Sequence, residues 1–240
     1  MSEWAPKRFW KTTTVDAVEG GFAVQLDGRG VKTPAKTPLV VPTRGLADAI
    51  AAEWEAQEDK VDPATMPFTR TSNSALDKVT LQHAAVADML AAYGDSDLLC
   101  YRADHPEELV DRQAAGWDPL LAWAAQDLDA PLAARTGVIH APQDPEALEN
   151  LRAQVHAQTP FQLAAFHDLV AMSGSLVVAF AVARGRLDAQ DGWELSRIDE
   201  LWNEEQWGAD EEATETANYK QGEFLHAARF HALASEGVKG

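Results

Sequence analysis

Two hydrophobic periods divide this chain, and a chain that changes period part-way along cannot fold as one repeating layer. Phe22, Val24 and Leu26 alternate with smaller or polar neighbours and run into Asp27-Gly28-Arg29-Gly30, the mark of a strand that turns back on itself. Val31-Lys32-Thr33 is expected as the returning strand, ended or held at an edge by Pro34. Leu39-Val40-Val41 is expected as another short strand, and RFWKTTTV upstream as one more. Thr43 then caps an expected helix whose apolar stripe is Leu46, Ile50 and Trp54. The following VDPATMPFTRTSN has two prolines, several Ser, Thr and Asn, and no clear period, as a connection would.

From about Ala75 onward the period is that of a helix almost without interruption. Leu76, Val79, His83, Val86 and Leu90 make one stripe, with Gly94 after Tyr93 as the expected C′ residue. Pro106, Pro119, Pro145 and Pro160 stand behind His105, Asp118, Asp144 and Thr159, which predicts four helix starts. The run LVAMSGSLVVAFAVA, Leu169 to Ala183, has fifteen residues and a Ser-Gly-Ser break. It falls short of the roughly 20 residues that span a bilayer, so it reads as a buried helix closed by Gly185. Two further helices are expected at about 188–206 and 210–234. There is no internal repeat. The expected fold class is α+β: a small sheet-plus-helix domain over residues 1–75, then a larger all-helical domain over 76–240.

Charge narrows the partners. Thirty-eight acids against twenty bases give a net charge of −18, which repels phosphate backbones and anionic lipid, so neither nucleic acid nor membrane insertion is expected. The excess is local: residues 1–60 hold 8 bases and 9 acids, whereas 186–223 hold 3 bases and 12 acids. Cys100 is the single cysteine, which excludes an intramolecular disulfide, fits a reducing compartment and, within LLCY, reads as core. MSEWAPKRFWKTTT has no apolar stretch of signal-peptide length and no long Arg/Ser-rich character, so no leader is expected.

The motifs of common chemistry are missing. MSGSL at 172–176 has its glycine in the wrong place for a nucleophile elbow, and DGRGVKTP is not a phosphate-cradling loop. The seven histidines include no His-Glu-x-x-His, and Glu-x-x-His occurs once, Glu223 to His226, where a di-metal bundle would want two. His226 and His231 are five apart, off a common helical face, and His167 in FHDL reads as a hydrogen-bonded core histidine. No metal and no cofactor are expected. Paired carboxylates remain open as general acid and base, so a hydrolase or lyase with an interdomain cleft stands as the alternative function.

The acids concentrate in WNEEQWGADEEA, Trp202 to Ala213, where Glu204, Glu205, Asp210, Glu211 and Glu212 lie among two tryptophans and one glycine. Such acids can be a solvated helix face. Trp193, Trp202 and Trp207 within fifteen residues tilt the reading toward a surface for a protein partner, because tryptophan covers large area at small conformational cost.

RFWK, LDGRGVKTPAKTPLVVPT, LADAIAAEWEAQEDKVDPATMPFTR, YGDSDLLCYRAD, QAAGWDPLLAW, SGSLVVAFAVARG and DELWNEEQWGADEEA occur in this order from about residue 7 to about 215. Together they resemble the assembly chaperones of F1 ATP synthase that act on the alpha subunit. The resemblance implies a non-enzymatic protein without cofactor that binds the unassembled alpha subunit and covers its beta-facing surface until the hexamer forms. The family's Trp-Gly-x-x-Glu segment falls on Trp207, Gly208 and Glu211, which points to Glu211 first for partner binding and Glu212 as the adjacent alternative. Asp210 and Glu205 would add to the local potential that steers association. Within such a family, the lack of a visible transit segment suggests a bacterial member working in the cytoplasm; it is expected as a monomer when free. An acidic adaptor for a different client has the same residue features.

Overall fold

The computed structural model describes residues 7–137 and 139–237. By its contacts the chain forms two compact units. The first holds residues 7–83, 159–165 and 229–237, and the second holds 84–158 and 166–228. The architecture is α+β, with the sheet near the N-terminus and 63% of the residues helical.

In the first unit, strands β1 (Thr13–Val18) and β2 (Gly21–Leu26) pair antiparallel, Thr13 opposite Leu26 and Val18 opposite Gly21. The turn after β2 places Asp27 and Gly28 at φ +48° and +77°, which an Asp-Gly pair accommodates. β3 (Arg29–Gly30) returns along one end of β2 and β4 (Val40–Val41) along the other, so β2 is central. The returning ladder is therefore shorter than Val31-Lys32-Thr33 led one to expect. Thr33 leaves it to donate its hydroxyl to Asp77 at 2.7 Å.

Helix α1 (Arg44–Glu55) starts on Thr43, whose hydroxyl accepts the Leu46 N–H at 3.1 Å, and buries Leu46 and Ile50 completely. Helix α2 (Pro67–Ser74) has no cap of its own. Glu53 supplies one from α1, accepting the Phe68 and Thr69 N–H groups at 2.6 and 2.8 Å and the Thr69 hydroxyl at 2.7 Å. Burial raises the Glu53 carboxyl above its ordinary range even against those bonds. Glu53 of EWEAQ and Phe68 of MPFT, 15 residues apart in the chain, thus belong to one hydrogen-bonded unit. A π turn over Ala75–Val79 follows, its Ala75 carbonyl also accepting the Thr80 hydroxyl at 2.8 Å, and it carries the Asp77 that holds Thr33 and the Ala35 N–H. Phe161, Ala165, Phe230 and Ala234 complete this unit's core, Phe230 stacking on Phe68 with centroids 6.1 Å apart.

In the second unit, α4 (Glu107–Asp127), α5 (Pro145–His156), most of α6 (Pro160–Ser173), α7 (Leu176–Ala183), α8 (Ala189–Leu195), α9 (Ile198–Trp207) and the first turns of α10 (Glu211–Ser235) surround Trp117, Leu151, Phe166, Leu169 and Phe224. The chain enters α4 from α3 (Thr80–Ala91) through 3-10 turns and the short strand β5 (Tyr101–Arg102), which pairs parallel with β6 (Arg135–Thr136). The apolar run from Leu169 is two helices, not one, because Gly174 takes φ +67° and Ser175 caps α7 through the Val178 N–H. Fully buried Asp97 fixes that break, accepting the Ser175 hydroxyl at 2.7 Å and the Val177 and Leu99 N–H groups at 3.0 Å. Cys100 is core, its thiol pushed up to about 12 by burial and the nearby Asp97.

Three further expectations are corrected. Pro119 lies inside α4 and starts nothing, because it and Ala115, whose carbonyl it leaves without a donor, both face solvent. Gly94 is not a left-handed cap but part of a 3-10 turn, used for its size: a Cβ there would stand 3.1 Å from Leu151. The helix expected over 188–206 breaks at Ser196, whose hydroxyl bonds back to the Trp193 carbonyl at 2.7 Å. Among the described residues, no helix is long and apolar enough to cross a membrane.

Candidate interaction surface

Helix α9 is seated on α4 by a set of contacts that explains the QAAGWDP stretch. Gly116 leaves room that a Cβ would take from Leu195 and Ile198, each 2.8 Å from its position. The Trp117 indole N–H donates to the Leu195 carbonyl at 2.8 Å, satisfying a fully buried ring. Gln113, also buried, accepts the Ala103 N–H and donates to Asp199 at 2.6 Å. Arg112 closes the set, donating to both Glu205 oxygens at 2.8 Å while its guanidinium lies 5.2 Å from the Trp202 ring centroid. These bonds hold the Glu205 carboxyl below its ordinary range. The adjacent Glu204 pairs with Arg197, at the start of α9, at 3.2 Å.

This seat ends at Trp207, which is 87% exposed. Gly208 follows with φ +88° and ψ 154°, a conformation closed to residues with a Cβ, and turns the chain out of α9. Asp210 then caps α10, its carboxylate accepting the Ala213 N–H at 2.9 Å. Glu211 and Glu212 occupy the first turn of α10, where the free N–H groups favour negative charge, and both side chains point into solvent.

The five residues singled out in sequence therefore separate by job. Trp207, Glu211 and Glu212 are presented at the elbow. Asp210 is exposed but builds the helix start, and Glu205 is taken by Arg112. A shallow cleft of about 520 Å³ lies between α9 and α10, with Glu200, Glu204, Asp210, Glu212, Arg197 and Lys220 on its walls. A second, of about 420 Å³, lies on the other side of α9 against His105, Leu109, Trp202 and Trp207. Sequence reasoning missed Arg112, Gln113 and Gly116 as the residues that aim the elbow. Their signal in the chain is the QAAGWDP stretch itself, a glycine beside a tryptophan within a helical run.

The carboxylates whose ionisation burial most opposes, Asp97 and Glu53, each hold backbone N–H groups inside the fold and line neither cleft. Among the described residues, no group of three or more His, Cys, Asp or Glu converges as metal ligands. Trp207 thus stands exposed on an elbow flanked by acids.

The family model described as ATP12 chaperone protein matches residues 7–125. The chain is 52% identical to Atp12 from Paracoccus denitrificans, whose crystal structure superposes with a TM-score of 0.94 over 97% of this chain and 100% of that one. It is 51% identical to an aspartate-to-lysine mutant of the P. denitrificans protein, with the same coverage and score. It is also 28% identical, over 224 residues, to the Schizosaccharomyces pombe protein atp12, mitochondrial, spanning 88% of this chain and 77% of the relative. The class is therefore a chaperone and not an enzyme, which removes the hydrolase or lyase alternative. The chain belongs to the ATP12 chaperone family and is an assembly chaperone of ATP synthase.

Proposed function

We propose that this chaperone binds the alpha subunit of the F1 sector before assembly and covers the surface that later meets the beta subunit. The elbow between α9 and α10 makes the first contact. A subunit of an alternating ring carries large apolar interfaces before its neighbours arrive, and such surfaces aggregate unless covered. The observation that supports the elbow is Trp207: a side chain of that size, 87% exposed beside Glu211 and Glu212, is a cost to a protein with no partner for it. Trp207 supplies contact area, Glu211 and Glu212 supply charge, and Asp210 and Glu205 hold them in place while adding to the field that speeds encounter. The working form is a cofactor-free monomer in the bacterial cytoplasm, where F1 is built.

Co-expression with the alpha subunit followed by pull-down tests this reading. Glu211→Lys is expected to lower capture roughly tenfold and to leave thermal unfolding unchanged. A large fall in Tm for that variant would make Glu211 structural, and no complex with the unaltered protein would remove the alpha subunit as client.

A further inference from the structure

Four arginines of this chain share one kind of seat. Arg8 lies 5.3 Å from the Trp10 centroid and pairs with Glu55 at 3.0 Å. Arg102 lies 5.2 Å from Trp117 and pairs with Asp118 at 2.8 Å. Arg112 lies 5.2 Å from Trp202 and pairs with Glu205 at 2.8 Å. Arg197 lies 5.5 Å from Trp193 and pairs with Glu204 at 3.2 Å. In each case the guanidinium carbon lies over a tryptophan ring and a carboxylate accepts from one of its N–H groups. Arginine suits both contacts at once, because its charge is spread over a plane; the compact ammonium of lysine does not.

The first turns of α10 carry an acid and a smaller aromatic, a tyrosine in place of tryptophan, and among the described residues no arginine lies over that ring. Tyr219 is 64% exposed, and exposed Glu215 stands one helical turn before it, at the spacing that brings two helix side chains together. The half-buried positions of this stretch are Thr214, Ala217 and Gln221, and Gln221 accounts for its side by donating to Gln190 at 3.1 Å. Glu215 and Tyr219 are therefore on the outer face. Residues 186–223 hold 12 acids against 3 bases, so the field there draws a cation.

We infer that Glu215 and Tyr219 form an acceptor for one arginine side chain of the client, extending the contact two turns along α10 beyond the elbow. The identity of the client rests on the proposed function; the acceptor itself does not. Tyr219 takes the guanidinium face and Glu215 its edge, which fixes the client's register along α10 after Trp207 has engaged.

Two measurements on the full chain test it. In the first, the unaltered protein, Glu215→Gln and Tyr219→Leu are compared for capture of purified alpha subunit, after thermal unfolding has verified that all three fold alike. Each variant is expected to bind roughly three- to tenfold more weakly. Variants equal to the unaltered protein overturn the acceptor and leave the proposed function standing. In the second, a capped Gly-Arg-Gly-Arg-Gly peptide and its lysine counterpart are titrated into the isotope-labelled protein and followed by amide resonances. Shifts centred on residues 215 and 219, larger for arginine and lost in Tyr219→Leu, are expected even if the client proves to be another protein. Equal shifts with both peptides, or none at those residues, overturn the acceptor.

Discussion

Arg112 donates two hydrogen bonds of 2.8 Å to Glu205 across the gap between α4 and α9, and its guanidinium lies over Trp202 on the same helix. This clasp sits less than one helical turn from Trp207 and sets where that tryptophan points. Glu205→Arg and Arg112→Glu alone are each expected to loosen α9, read as faster amide exchange over 198–207 and weaker client capture. The double exchange is expected to recover part of both, since the charge pair returns while the stacking on Trp202 does not. Single variants that behave as the unaltered protein would reduce Glu205 to a surface charge.

Trp207→Ala is expected to leave stability within experimental error, because an 87% exposed ring has few contacts to lose. Client capture is expected to fall by roughly 2 kcal/mol, as at a hot spot. Equilibrium unfolding and capture measured on the same preparation separate the two.

His231 gives the stability a pH dependence. Burial lowers its pKa from 6.5 to about 4, so the folded protein keeps it neutral while the unfolded chain takes up a proton. The contribution of His231 is full above pH 6.5, falls as pH drops toward 4 and levels below, by about 3 kcal/mol at about 1.4 kcal/mol per pH unit. Urea unfolding at pH 7, 6 and 5 should follow this course, and a His231→Gln variant should flatten it.

Asp97→Asn is expected to destabilise by about 2–3 kcal/mol, since an amide N–H₂ would face donors that the carboxylate now accepts from Ser175, Val177 and Leu99. Burial raises the Asp97 carboxyl, so the sign is opposite to that of His231: its ionised form costs stability that returns as pH falls through the folded value. Urea midpoints of the variant and the unaltered protein at pH 7 check the loss.

The sequence carried the architecture because each signal was local. Asp27-Gly28 could only turn a hairpin, Thr43 could cap only the stripe Leu46, Ile50, Trp54, and Asp144-Pro145 opened α5 as read. The misreadings were equally local signals overruled by surroundings, as at Pro119, where solvent on the outer face of α4 takes the carbonyl that proline leaves unpaired. The exposure of Glu211 and Glu212 was legible from their charge, but that of Trp207 was not, since a tryptophan serves a helical core as readily as a surface. The bonds that give the site its shape join distant positions: Arg112 to Glu205 spans 93 residues, Gln113 to Asp199 spans 86 and Trp117 to Leu195 spans 78. No period in the chain encodes such pairs. The same holds for Glu53 capping α2, which is visible only once α1 and α2 are folded.

The most direct measurement of the central claim is capture of purified F1 alpha subunit by the unaltered chaperone and by a Trp207→Ala, Glu211→Lys double variant of equal Tm, at low and moderate salt. Tight, salt-weakened capture by the first and at least a hundredfold loss in the second are expected. Equal capture by both proteins at either salt would mean that the client sits elsewhere and that the elbow is not the binding surface.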